Sequence, residues 1–137
     1  MTDHISKEKR SWNMSRIRSK NTRPELAVRK YLYSNGFRYR LHNRKLPGKP
    51  DITNQSKKTA VFVNGCFWHQ HEGCKRAAIP KSNKSYWLPK LENNVARFKN
   101  NTDKLLDMGW KVFIVWECET KDEVILKSKL DAVYISG

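Results

Sequence analysis

Residues 110–117 read WKVFIVWE, a nearly unbroken apolar run in a chain where 30% of residues are charged. Successive side chains of a strand point to opposite faces, so a strand wet on one side alternates apolar with polar positions. A run that is apolar on both faces predicts a central strand covered on each side, as in α/β proteins. The rest of the chain must then supply sheet neighbours and helices for both layers. TAVFVN at 59–64 is the next strongest run, preceded by a polar NQSKK turn and a brief extended DIT at 51–53. Together these predict a hairpin that ends at Gly65.

The helices follow from caps and spacing. SWNMSRIRSK, from Ser11, predicts a short basic helix carrying Trp12, Met14 and Ile17 and ending near Asn21. TRPE at 22–25 has the S/T-x-x-E pattern of a capping box and opens a helix that runs through Leu32 and stops at Asn35-Gly36. FRYRLH at 37–42 alternates, which predicts a half-buried strand with Phe37, Tyr39 and Leu41 inward and Arg38, Arg40 and His42 outward. Residues 75–84 form a basic loop. Leu91, Val95, Phe98, Leu105 and Leu106 then recur at helical spacing between Lys90 and Met108, closed by Gly109. TKDE at 120–123 is a second capping-box pattern, for a short helix to about Leu130 and a terminal strand at AVYIS. The order is αβββαβ with a tail, a mixed-sheet α/β fold. At 137 residues the chain supports one core, divided as a mobile polar arm over 1–10 and a single domain over 11–137.

Lys and Arg number 28 against 13 Asp and Glu, a formal charge of +15. Such a balance points to a polyanionic partner, nucleic acid first, with a membrane surface or a ribosomal setting as alternatives. The N-terminal MTDHISKEKRSWNM has charges where a signal peptide needs an apolar run, and no stretch approaches the ~18 apolar residues of a membrane span. The expectation is a soluble intracellular protein with no membrane partner. In that reducing setting three cysteines clustered with histidine favour metal over disulfide.

The chemistry concentrates in NGCFWHQHEGC at 64–74. Cys66 and Cys118 each stand just beyond an apolar strand, and if those strands are neighbours their thiols converge. With His71 and Cys74 they would complete a Cys₃His shell, a closed tetrahedral set that marks structural zinc. Free buried cysteines and a surface histidine are the plainer alternative. His69 has no place in that shell and is either a packed residue or a proton carrier. Asp51, after PGKP, is a carboxylate able to hold a hard cation such as Mg²⁺, or simply a turn residue. Glu25 has its own plain role at the third position of a capping box. Phe67, Trp68, Tyr86 and Trp87 stand among lysines, as exposed aromatics that stack on bases or wedge between them would. Trp110 and Trp116 read as core packing.

The runs SWNMSRIRSKNTRPE, LPGKPDI, AVFVNGCFWHQHEGC, YWLPKLENNVARFKNN and GWKVFIVWEC closely resemble the very-short-patch repair (Vsr) DNA mismatch endonucleases, over roughly residues 11–119. The resemblance implies a restriction-endonuclease-like αβββαβ core with a structural zinc. It also implies Mg²⁺-dependent nicking of double-stranded DNA, 5′ to the thymine of a T·G mismatch left by deamination of 5-methylcytosine. By motif, Asp51 and the main-chain carbonyl of Val63 would hold Mg²⁺, His69 would be the acid/base partner at the scissile phosphate, and Glu25 would assist through water. Cys66, His71, Cys74 and Cys118 would fill the zinc shell. Phe67, Trp68 and Trp87 would wedge beside the mismatch from the major groove and Met14 from the minor groove, with Lys90 and Asn94 near the mismatched bases or their backbone. The chain departs from the pattern at Asn64, where the family carries histidine, and at Val63, where it carries threonine. A monomer acting on the nucleoid is implied. The rival readings are a non-catalytic zinc-stabilised DNA-binding module and a restriction-like nuclease of the same fold that cuts matched DNA.

Overall fold

The computed structural model describes residues 22–135, and the side chains of 22–133. The helix expected over 11–21, with Met14, and the arm over 1–10 lie outside the described residues. Helix α1 spans Arg23–Ser34; Thr22 caps it, its Oγ1 accepting from the Glu25 N–H at 3.3 Å. Only half of the expected box forms, because the Glu25 carboxylate turns to His42 and Arg29 instead.

Three strands follow: β1 (Arg40–Leu41), β2 (Ile52–Asn54) and β3 (Thr59–Asn64). Helix α2 (Lys84–Asp107) crosses over to β4 (Lys111–Trp116), and helix α3 (Glu123–Ile135) closes the described chain. The sheet order is β1-β2-β3-β4, with the first two pairings antiparallel and β3·β4 parallel. The succession αβββαβ is therefore present, followed by one more helix.

Period-two alternation sorts the core into two layers. Val61 and Val115 face α1 and α3, where Ile52, Val28, Leu32, Leu126, Leu130 and Val133 complete a buried cluster. Ala60 and Phe62 face the other way, packing with Leu105 and Trp110 and, at their margin, Phe98 of α2. Gly48, at φ +76°, lets the PGKP turn lie against this layer; a Cβ there would stand 3.1 Å from Asn101 Cβ and 3.3 Å from the Phe62 ring.

Several expectations are corrected. The run at 110–117 is covered on both faces, but among the described residues β4 pairs only with β3 and is the sheet's edge rather than its centre. Lys129 Nζ donates to the Ile114 carbonyl there at 3.3 Å, a charge on an edge that blunts further pairing. The strand expected over 37–42 shrinks to two residues, and its facing reverses at the end. Leu41 is exposed, while His42, at φ +50°, turns its ring inward. A left-handed residue breaks the alternation that the sequence displays.

Helix α2 starts at Lys84, six residues earlier than the apolar spacing indicated, and carries Pro89 inside. Leu106 and Val95, expected on its buried face, are exposed. At the C-terminus the cap is Asp122 rather than Thr120: its Oδ1 accepts from Val124 and Ile125 N–H at 3.0 and 3.2 Å. A 3₁₀ turn (Glu117–Lys121) precedes it, and residues 132–135 of the segment expected as a terminal strand are helical.

Candidate functional site

Parallel pairing of β3 with β4 is in register through Asn64↔Trp116, so Cys66 and Cys118 each follow two residues past a matched strand end. Their sulfurs lie 3.6 and 3.5 Å from His71 Nδ1, and with Cys74 all four donor atoms fall within 4.8 Å of one another. A tetrahedral ion with Zn–S of about 2.3 Å and Zn–N of about 2.05 Å requires S···N of about 3.6 Å, so the four groups fit zinc. Burial pushes the Cys66 thiol up to about 12 and raises Cys118, whereas the Arg76 N–H holds Cys74 below the usual thiol value. Desolvated sulfurs facing one another are the arrangement that a thiophilic cation relieves. The His71 ring stacks on Trp116, centroids 4.1 Å apart and 5° from parallel, and Cys66 N–H donates to Glu117 Oε1 at 3.3 Å. Trp116, which the sequence suggested was core packing, is thus the platform under a candidate ligand.

A second cluster forms where α1, the end of β1 and the start of β2 meet. Asp51 Oδ2 accepts from the Val63 N–H at 2.7 Å, which brings the Val63 peptide against the carboxylate. Glu25, only 3% exposed, has Oε2 at 2.8 Å from His42 Nε2 and 3.2 Å from Arg29. Donor atoms of Glu25, His42 and Asp51 all lie within 4.8 Å of one another. Burial raises the Asp51 carboxyl to about 6, only partly offset by the Val63 N–H, with the neighbouring Glu25 charge acting in the same direction as burial. Two desolvated carboxylates side by side fit a divalent cation.

His69 is outside both clusters. Its N–H donates to the Gly65 carbonyl at 3.1 Å, and its ring meets Phe98 and Trp116 edge-on with centroids 5.0 and 6.5 Å away. Trp116 therefore touches the ring of His69 as well as that of His71. Asn64, buried at the end of β3, leaves its Nδ2 without a hydrogen-bond partner among the described residues.

Phe67, Trp68 and Trp87 pack edge-to-face at centroid distances of 5.4–6.1 Å. Trp68 is 7% exposed and Trp87 1%, so the expectation of exposed aromatics is corrected; only Phe67 and Tyr86 are half-buried. Lys90 Nζ sits 5.5 Å from the centres of both the Trp68 and Tyr86 rings, and Asn94 Nδ2 donates to the Trp68 carbonyl at 3.4 Å. Lys90 and Asn94 thus brace the aromatic group from α2. His42 is a site residue that sequence reasoning placed on the solvent side, and its left-handed φ is the feature that turns it inward.

The profile of the family described as DNA mismatch endonuclease Vsr matches residues 2–76. A Type II nicking enzyme of Xanthomonas oryzae, V.XorIIP, is 49% identical over 130 residues, 95% of each chain. Another of Neisseria meningitidis, V.NmeAIP, is 46% identical over 131 residues, 96% of this chain and 93% of the relative. The DNA mismatch endonuclease Vsr of Escherichia coli is 36% identical over 118 residues, covering 86% of this chain and 75% of that protein.

Proposed function

The chain belongs to the Vsr family of DNA mismatch endonucleases, and we propose that it nicks double-stranded DNA 5′ to the thymine of a T·G mismatch, using Mg²⁺. The observation that carries this reading is Asp51, a half-buried carboxylate held by the Val63 N–H beside a fully buried one, Glu25. The αβββαβ succession supports a restriction-endonuclease-like core behind it.

A phosphodiester resists hydrolysis because its charge repels nucleophiles, so the site must neutralise charge, place a water and supply a proton to the leaving oxygen. Asp51, with the Val63 carbonyl, holds the cation; Mg²⁺ bound there supplies charge neutralisation at the scissile phosphate. Glu25 orients the attacking water. His69 transfers a proton at the phosphate, its ring fixed between Phe98 and Trp116. Cys66, His71, Cys74 and Cys118 hold a structural Zn²⁺ that pins the loop on which His69 stands. Phe67, Trp68 and Trp87 enter the major-groove side of the mismatch and Met14 the minor-groove side, at a wobble pair that resists unstacking less than a matched step. Lys90 and Asn94 lie near the mismatched bases. One nick needs one active site, so the protein acts as a monomer, inside the cell.

The test is strand nicking of an end-labelled duplex panel, T·G against matched controls in several cytosine-methyltransferase contexts, with an Asp51→Ala control. Nicking beside the mismatched thymine that the control lacks is the expected result. Equal cutting of matched duplex indicates a restriction-like nuclease, and tight binding with no nick a non-catalytic DNA-binding module.

A further inference from the structure

The cluster of Glu25, His42 and Asp51 contains one side chain that the reaction above does not use. The alternation of FRYRLH would leave His42 in solvent. Instead its backbone adopts φ +50°, a left-handed conformation unfavourable for a non-glycine residue. Hydrogen bonds to the segment just before β2 hold it there: His42 N–H donates to the Asp51 carbonyl at 2.9 Å and Asn43 N–H to that of Pro50 at 3.2 Å. The ring, 19% exposed, ends with Nε2 2.8 Å from Glu25 Oε2 and within 4.8 Å of an Asp51 oxygen. Arg29 also bonds Glu25, and the buried Glu25 carboxylate, the half-buried Asp51 carboxylate and the His42 imidazole converge with their donor atoms within 4.8 Å of one another.

Mg²⁺ favours an all-oxygen shell, whereas imidazole nitrogen suits the first-row transition ions. We infer that His42 is a further protein ligand of the cation held by Asp51, and that the added imidazole nitrogen makes the site bind Mn²⁺ more tightly than the Mg²⁺ that also serves there. The inference rests on the reading that Asp51 holds the cation of the reaction. His42 could otherwise serve only to orient Glu25, and the two roles separate by substitution. Glutamine reaches Glu25 with an amide donor but offers no imidazole nitrogen, and asparagine tolerates the left-handed backbone while falling short of the ion.

The experiment titrates Mn²⁺ into the full, zinc-loaded chain and reads free Mn²⁺ by its electron paramagnetic resonance, with Mg²⁺ as competitor, for wild type, His42→Gln, His42→Asn and Asp51→Asn. Thermal unfolding confirms which variants remain folded. The expected result is wild-type Mn²⁺ binding about tenfold or more tighter than Mg²⁺, weakened about tenfold in both His42 variants with Mg²⁺ competition little changed. Loss of both ions in Asp51→Asn accompanies it. Mn²⁺ affinity within about twofold of wild type in the folded His42 variants, while Asp51→Asn abolishes binding, overturns His42 as a ligand and leaves the cation site standing. Wild type that does not prefer Mn²⁺ overturns the selectivity, and binding that survives Asp51→Asn brings down the underlying site assignment.

Discussion

Asp51 combines a cost and a use in one carboxyl. Burial raises it from 3.8 to about 6, so the metal-free folded state holds this proton more tightly than the unfolded chain does. Its contribution is therefore most favourable below pH 3.8, declines as pH climbs through about 6, and is an unrelieved cost above that. A rise of this size weakens folding at pH 8 by up to about 3 kcal/mol. Asp51→Asn in zinc-loaded, magnesium-free protein should accordingly melt roughly 5 °C higher than wild type at pH 8 and no higher at pH 4. Calorimetry at the two pH values checks the sign, and added divalent cation should erase the difference. At the thiol cluster, Cys118→Ser should lose stoichiometric metal, read by elemental analysis, and with it several kcal/mol of stability. These residues were legible because their identities are scarce: three cysteines and an adjacent histidine have few other uses. His42 and Trp116 were not. One depends on a backbone angle that no side-chain pattern encodes, and the other looked like its apolar strand neighbours until the His71 ring was found stacked on it.

At the scale of elements, the capping rule worked where the side chain had no better partner. Thr22 caps α1 as its motif predicts, but the downstream pattern named Thr120 while Asp122 took the role. Asp122→Ala should cost about 1 kcal/mol, measured by denaturant midpoint, and leave nicking intact. Strand pairing at β2·β3 and the crossover to β4 were legible from periodicity and turn residues. The position of β4 was not, since a strand covered on both faces reads alike at a sheet's edge and at its centre. The early start of α2 was hidden by Pro89, which ordinarily argues for a boundary. That first stretch of α2 carries Trp87, buried against Trp68 and Phe67. If these rings are the wedge, they must leave one another to enter DNA. Tryptophan emission should then change on binding T·G duplex but not matched duplex, and Trp68→Phe with Trp87→Phe should remove the change.

For the molecule as a whole, a formal charge of +15 dominates any approach to DNA. Each phosphate neutralised releases counterion, so affinity for a mismatched duplex should fall by about 10³-fold or more between 50 and 200 mM salt if six or more phosphates are contacted. Fluorescence anisotropy across that range reads the slope directly, and a shallow slope would mean that the basic residues face elsewhere. No helix among the described residues is long and apolar enough to cross a membrane. The parallel register of β3 and β4 has a further consequence. Parallel neighbours cannot be closed by a hairpin, and here the connection is the whole of α2. An ion gripped by Cys66 and Cys118 would therefore act as a clasp, turning the chain between them into a closed ring. Cys66, His71 and Cys74 lie within nine residues and can take up the ion first, so the clasp shuts when α2, laid across the sheet, brings Cys118 to it.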